Sequence, residues 1–232
     1  GLDQDQLLVV HTHHGVAQMA VHAASDGKFL YPIELPGAGT IGGPIEHIDG
    51  GPITWIVYTD HTTIPTIYEF DARSRELTLY ATPPGSVQAP SVHSELITYP
   101  SLDGTTVRMF IISPTGNPDH SRPTILYGYG GFGIPMQPGY SASILAWVES
   151  GGVWAIANLR GGGEEGEEWH RAGMLAKKQN VFDDFNAAAE YLIDSGWTTS
   201  DQLGIYGGSN GGLLVGAAMT QRPDLFNAVV CV

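Results

Sequence analysis

Leu203-Gly204-Ile205-Tyr206-Gly207-Gly208-Ser209-Asn210-Gly211-Gly212-Leu213-Leu214-Val215 is the stretch that decides the fold. A short apolar run, Leu203 to Tyr206, feeds a Gly-x-Ser-x-Gly turn, and Gly212 to Thr220 continues in Leu, Ala, Val and Met as a packed helix does. With 31 glycines and 14 serines in 232 residues, chance alone supplies about 0.25 such matches. The flanking elements therefore carry the reading. A sharp strand-to-helix turn needs glycine on both sides of the serine, because a Cβ there would strike the neighbouring strand and helix. The same bend puts Ser209 at a helix N-terminus, where amide dipoles favour developing negative charge. A glycine-rich helix start with Ser209 as its cap is the competing reading.

Working outward, Thr124–Tyr127, Val153–Asn158, Leu203–Tyr206 and Ala228–Val232 read as parallel strands, with helical segments between them. Ser141 to Ser150 has a serine N-cap and Gly151 beyond its end. Val181 to Asp194 places Phe182, Phe185, Ala189 and Leu192 on one face, with Asn180 as cap and Gly196 as stop. Alternation of this kind predicts an α/β fold with a doubly wound sheet, and with the elbow it predicts an α/β-hydrolase domain. Just upstream, Ser94–Tyr99 and Val107–Ser113 form a strand pair around a turn at Asp103-Gly104.

From Leu7 to about Tyr80 the grammar is different. Six β-like segments, 7–12, 18–23, 28–33, 54–59, 66–71 and 76–80, are separated by Asp26-Gly27, Pro36-Gly37, Gly50-Gly51 and Asp71-Ala72-Arg73-Ser74. Short antiparallel strands of this type suit a sandwich or about one and a half propeller blades. Ala81-Thr82-Pro83-Pro84-Gly85 is the linker candidate, which divides the chain into 1–85, a partial β-propeller, and 86–232, the first part of the hydrolase domain.

Charge narrows the partners. Lys plus Arg is 10 against 24 Asp plus Glu, a net charge of −14, which argues against nucleic acid. No run of about 18 apolar residues occurs, so no membrane partner is expected. Cys231 is the only cysteine, which excludes an internal disulfide or a cysteine-built zinc site. Its apolar neighbours predict a core position. Gly1 at one end and the strand-like Phe226–Val232 at the other lead to the expectation of a piece of a longer protein.

Two more glycine-rich turns, Gly128-Tyr129-Gly130-Gly131-Phe132-Gly133 and Gly161-Gly162-Gly163-Glu164-Glu165-Gly166, match the dinucleotide fingerprint. Glu164, Glu165, Glu167 and Glu168 would repel a pyrophosphate, and Glu149 ends a helical pattern instead of a second strand. The first turn fits a hydrolase better: one oxyanion donor is the N–H after the nucleophile, Asn210, and the other comes from an earlier strand-to-helix loop. Tyr129 as a merely packed aromatic is the bland alternative. His11 and His13 share a strand face and could pair on a metal, although a polar face is the simpler account. His170 precedes Ser209, against the Ser, Asp, His order expected of a general base. The 164–168 glutamates read as a cation site or, by default, as solvated charge.

Five blocks in order carry a family resemblance: Tyr127–Phe132, Asn158–Glu164 running on to Trp169-His170, Lys178–Phe185, Gly207–Leu214 and Gln221–Phe226, with Pro65–Asp71 upstream. Together they resemble prolyl oligopeptidase. The resemblance implies a propeller covering an α/β-hydrolase domain and a serine peptidase that cleaves short peptides on the carboxyl side of proline. It implies Ser209 as nucleophile, Tyr129 and the Asn210 N–H as oxyanion hole, and Phe132 as a wall of the proline pocket. It places the triad Asp and His beyond Val232, with Asp224 as a structural residue, so that this piece alone would be inactive. No cofactor and no metal are expected; the expected state is a cytoplasmic, monomeric full-length enzyme acting on proline-containing peptides. A related oligopeptidase or esterase of other specificity, or a non-catalytic β-rich module, is the alternative.

Overall fold

The structure, a computed structural model, describes residues 5–46, 51–85 and 90–232. It divides into two compact units: the first runs to Ala89 and takes in Gln137–Ser141, and the second holds Pro90–Met136 and Ala142–Val232. The junction expected between residues 85 and 86 borders 86–89, which lie outside the described residues.

The first unit contains only strands among its described elements. β1 (Gln6–His13), β2 (Val16–Ala23) and β3 (Phe29–Ile33) form one antiparallel sheet; β4 (Thr40–Glu46), β5 (Ile53–Thr59), β6 (Thr66–Asp71) and β7 (Glu76–Ala81) form another. These are the blade strands of a β-propeller fold. Met19, Val21, Ile33, Ile56 and Phe70 fill the core, and in β5 every second residue is buried, as a half-buried strand requires. β4 was not legible in the sequence, because Gly42, Gly43 and Pro44 interrupt its pattern. It lies at the edge of its sheet with a register shift between Gly42 and Ile45, where a proline lacking an N–H is tolerated. His11 bonds Gln18 across the β1–β2 pair at 3.0 Å, and His13 stacks on His14 at 3.6 Å. No cluster of three metal-ligating side chains occurs among the described residues.

The second unit is built on a six-stranded sheet. Its strands are β8 (His93–Pro100), β9 (Thr106–Ser113), β10 (Thr124–Gly128), β11 (Val153–Asn158), β12 (Leu203–Gly207) and β13 (Ala228–Cys231), in the order β13-β12-β10-β11-β9-β8. β13, β12, β10 and β11 run parallel, while β9 and β8 extend the sheet antiparallel. Four helices join them: α1 (Ala142–Glu149), α2 (Glu167–Arg171), α3 (Gln179–Asp194) and α4 (Asn210–Gln221). Val153, Ala155 and Ala157 of β11 pack with α3 and α4 around Phe185, Leu192 and Leu214. Trp154, on the other face, shares a cleft with Ser143 and Trp147 of α1. Helices therefore cover both faces, as in an α/β-hydrolase. None is long and apolar enough to cross a membrane among the described residues.

Two local expectations are corrected. Asn180 does not cap α3: it lies inside the helix, and its Nδ2 donates to the Ala172 carbonyl at 2.9 Å. Lys178 holds the cap position because a preceding 3-10 turn, Leu175–Lys177, leads directly into the helix. Cys231 is exposed among the described residues rather than in the core; β13, which carries it, pairs there with β12 alone.

Candidate active site

Strand order creates the site. From β10 the chain crosses to β11 on one side, then returns past β10 to β12 on the other, so ligands are expected at the carboxyl ends around β10. Three glycine-rich turns leave three adjacent strands there: the Ser209 turn from β12, the Tyr129 turn from β10 and the Gly161 turn from β11.

Ser209 sits between β12 and α4 with φ +54° and ψ −117°, a conformation that costs a non-glycine residue about 1–3 kcal/mol. Its side chain makes no capping hydrogen bond and is exposed, which removes the reading of Ser209 as a helix cap. The flanking glycines have measurable causes. A Cβ on Gly207 would lie 2.1 Å from the Gly211 carbonyl oxygen, and one on Gly211 would lie 2.9 Å from the Gly128 carbonyl oxygen. The elbow thus packs backbone on backbone against its own helix and against β10.

Asn210 does more than follow the serine. Its Nδ2 donates to the Tyr129 carbonyl oxygen, while its Oδ1 accepts from Lys178 Nζ at 3.3 Å. The Tyr129 turn is in this way tied to the start of α4. Phe132, in the same turn, has φ +56° and is 76% exposed, so a strained backbone holds an aromatic ring out into solvent.

The Gly161 turn buttresses the Tyr129 turn. Gly133 N–H donates to the Gly161 carbonyl at 3.0 Å, and Cβ atoms on Gly161 or Gly163 would meet the Gly130 and Gly133 carbonyl oxygens at 2.7 and 2.4 Å. His170 reaches back through Nδ1 to the Gly161 carbonyl at 2.9 Å. Beneath the turn lies a buried ionic network that the sequence reading did not single out. The Arg160 guanidinium bonds Asp184 at 2.6 Å, Asp103 at 2.6 Å and Ser101 Oγ at 3.2 Å, and Asp184 also accepts the Arg160 backbone N–H at 3.0 Å. Burial opposes the guanidinium charge, yet the bonds to Asp184 and Asp103 hold its pKa above the ordinary value. The available signal was Asp184 itself, a charge in the Val181, Phe185, Ala188 stripe of α3.

The glutamates after this turn have different fates. Glu165 pairs with Arg108 and Glu167 with Arg171. Glu164 is 3% exposed; its Oε1 accepts the Met136 N–H at 2.8 Å, and its Oε2 has no partner among the described residues. Solvated charge is therefore the wrong description of Glu164. Burial pushes its pKa up to about 7, with the Met136 hydrogen bond opposing and Glu165 adding to the rise. A folded value above the ordinary 4.5 means stability that is full below about pH 4.5 and lost as pH rises to about 7. Glu164→Gln is expected to flatten the urea-denaturation midpoint across that range; an unchanged slope would acquit the carboxyl.

Known proteins match this chain in sequence and in fold. The profile described as "Prolyl oligopeptidase family" matches residues 138–232. Prolyl endopeptidase from Elizabethkingia miricola is 45% identical over 86% of this chain and 28% of its own length. The prolyl oligopeptidase ophP of Omphalotus olearius is 36% identical over 99% of this chain and 31% of its own. A solved structure from a study of two prolyl endopeptidases superimposes over 100% of this chain with a TM-score of 0.91 and 44% identity, covering 34% of that chain. Prolyl oligopeptidase B from Galerina marginata, bound to a 25mer macrocyclization substrate, gives 0.90 at 27% identity over 99% of this chain and 32% of its own. The chain thus spans about a third of the length of these relatives.

Proposed function

The chain belongs to the prolyl oligopeptidase family, and from that premise we propose that the protein carrying it is a serine endopeptidase cleaving short peptides on the carboxyl side of proline. The observation that carries this reading is the exposed Ser209 on a strained elbow whose next residue, Asn210, is bonded to the Tyr129 turn. In the proposed reaction Ser209 Oγ attacks the proline carbonyl carbon, and its proton passes to a histidine that the resemblance assigns outside this chain, oriented there by an aspartate. The tetrahedral oxyanion accepts hydrogen bonds from the Asn210 N–H and the Tyr129 hydroxyl. Collapse expels the amine, which takes up the proton, and water then hydrolyses the Ser209 ester. Phe132 is assigned to the wall that receives the proline ring, which its outward aromatic side chain supports.

The protein made from its complete coding sequence is expected to hydrolyse a chromogenic peptide with proline before the scissile bond. Equal turnover of the same peptide with alanine there, or of a simple ester alone, would overturn the specificity. Tyr129→Phe is expected to lower kcat by about 10²–10³, or 2.7–4 kcal/mol of transition-state stabilisation, as for loss of one oxyanion donor. Unchanged turnover would remove Tyr129 from the role.

A further inference from the structure

Lys178 lies 31 residues before Ser209 in sequence, yet it touches both the serine's own turn and the Tyr129 turn. It occupies the cap position of α3, and its Nζ donates to the Gly130 carbonyl oxygen at 2.7 Å and to Asn210 Oδ1 at 3.3 Å. Asn210 completes the link by donating Nδ2 to the Tyr129 carbonyl oxygen. The chain of contacts therefore runs from Gly130, through an ammonium and an amide, back to Tyr129. It fixes the amide orientation of Asn210 as well, since one end faces a donor and the other an acceptor.

This ammonium has no carboxylate partner among the described residues; its acceptors are a backbone carbonyl and a side-chain amide. Half-burying a charge without a counter-ion costs stability. Burial lowers its pKa from the ordinary lysine value, in line with that cost. Fit around the clamp is close: a Cβ on Gly131 would lie 2.5 Å from Asn210 Nδ2. The two groups joined are those that carry the proposed oxyanion donors, and such donors act only when held at the position where charge develops.

We propose that Lys178 is a positioning residue for the peptidase reaction, locking the Tyr129 turn to the start of α4 and so setting the separation of the Tyr129 hydroxyl and the Asn210 N–H. This rests on the peptidase reading above. Because the donors engage the transition state more than the substrate, loss of the clamp should appear in kcat and leave KM in place.

The test uses the protein from its complete coding sequence, with a chromogenic proline peptide, a fluorophosphonate serine label, a prolyl aldehyde as transition-state analogue and the cleaved peptide acid as ground-state ligand. Wild type comes first: absence of both cleavage and labelling overturns the peptidase reading and this proposal with it. Given an active wild type, Lys178→Met is expected to lower kcat by about tenfold or more and weaken the aldehyde by the same factor, with KM and product affinity within about twofold. Lys178→Arg, which keeps donors for both oxygens, is expected to recover most of the loss. Should Lys178→Met fail to fold, Lys178→Gln, whose N–H donors sit on a shorter, uncharged arm, is expected to lose about threefold to tenfold in kcat alone. Unchanged kcat in a folded Met or Gln variant, or a loss residing in KM and product affinity, overturns the positioning role and leaves the peptidase reading intact.

Discussion

Ser209→Ala in the complete protein is expected to reduce kcat for proline-peptide hydrolysis by on the order of 10⁶, to what the oxyanion hole and binding sustain without a nucleophile. The size follows from cooperation: the donors proposed at Asn210 and Tyr129 would stabilise an oxyanion that forms efficiently only after attack by the hydroxyl. Stability should behave differently. The Ser209 hydroxyl makes no capping bond and is exposed, so the substitution should move the unfolding midpoint little, within about 0.5 kcal/mol. Residual turnover above about one part in 10³ of wild type in contaminant-free protein would show that another group is the nucleophile. A large loss of stability would show that the serine serves the fold.

Asp184→Ala is expected to have the largest effect on stability, about 3–5 kcal/mol. Asp184 is fully buried and accepts the Arg160 backbone N–H, the Arg160 guanidinium and the Ser101 hydroxyl. Its removal leaves a guanidinium that is only 5% exposed facing a cavity, with Asp103, itself 50% exposed, as the remaining counter-charge. Activity should fall with it, because Arg160 anchors the Gly161 turn on which Gly130 and Gly133 rest. Urea denaturation of the two proteins provides the measurement. A difference below about 1 kcal/mol would mean that the network relaxes into solvent, as exposed ion pairs do.

These two residues also mark what the sequence could and could not disclose. Ser209 was legible because its surroundings are local: apolar strand, paired glycines and small-residue helix follow one another within thirteen positions. The parallel strands, the β8–β9 pair and most blade strands were legible for the same reason. β4 was not, because glycine and proline erase the alternation that marks a strand. Charge alone marks Glu164 as solvent-facing, whereas the packing of Pro135-Met136 over the Gly161 turn buries it. Apolar neighbours mark Cys231 as core, whereas among the described residues it is exposed on β13, which pairs with β12 alone.

By itself, then, the amino-acid order determined the elbow, the two kinds of unit and the identity of the candidate nucleophile, because backbone conformation at a tight turn depends on a few adjacent side chains. Only the tertiary structure decided which turns are neighbours. β12 returns beside β10, which sets Asn210 against Tyr129, and the packing of α3 sets Lys178 against Gly130 and Asn210 and Asp184 against Arg160. Those pairs are separated by between 24 and 81 residues, and contacts at such distances come from strand order and packing, which no local pattern encodes.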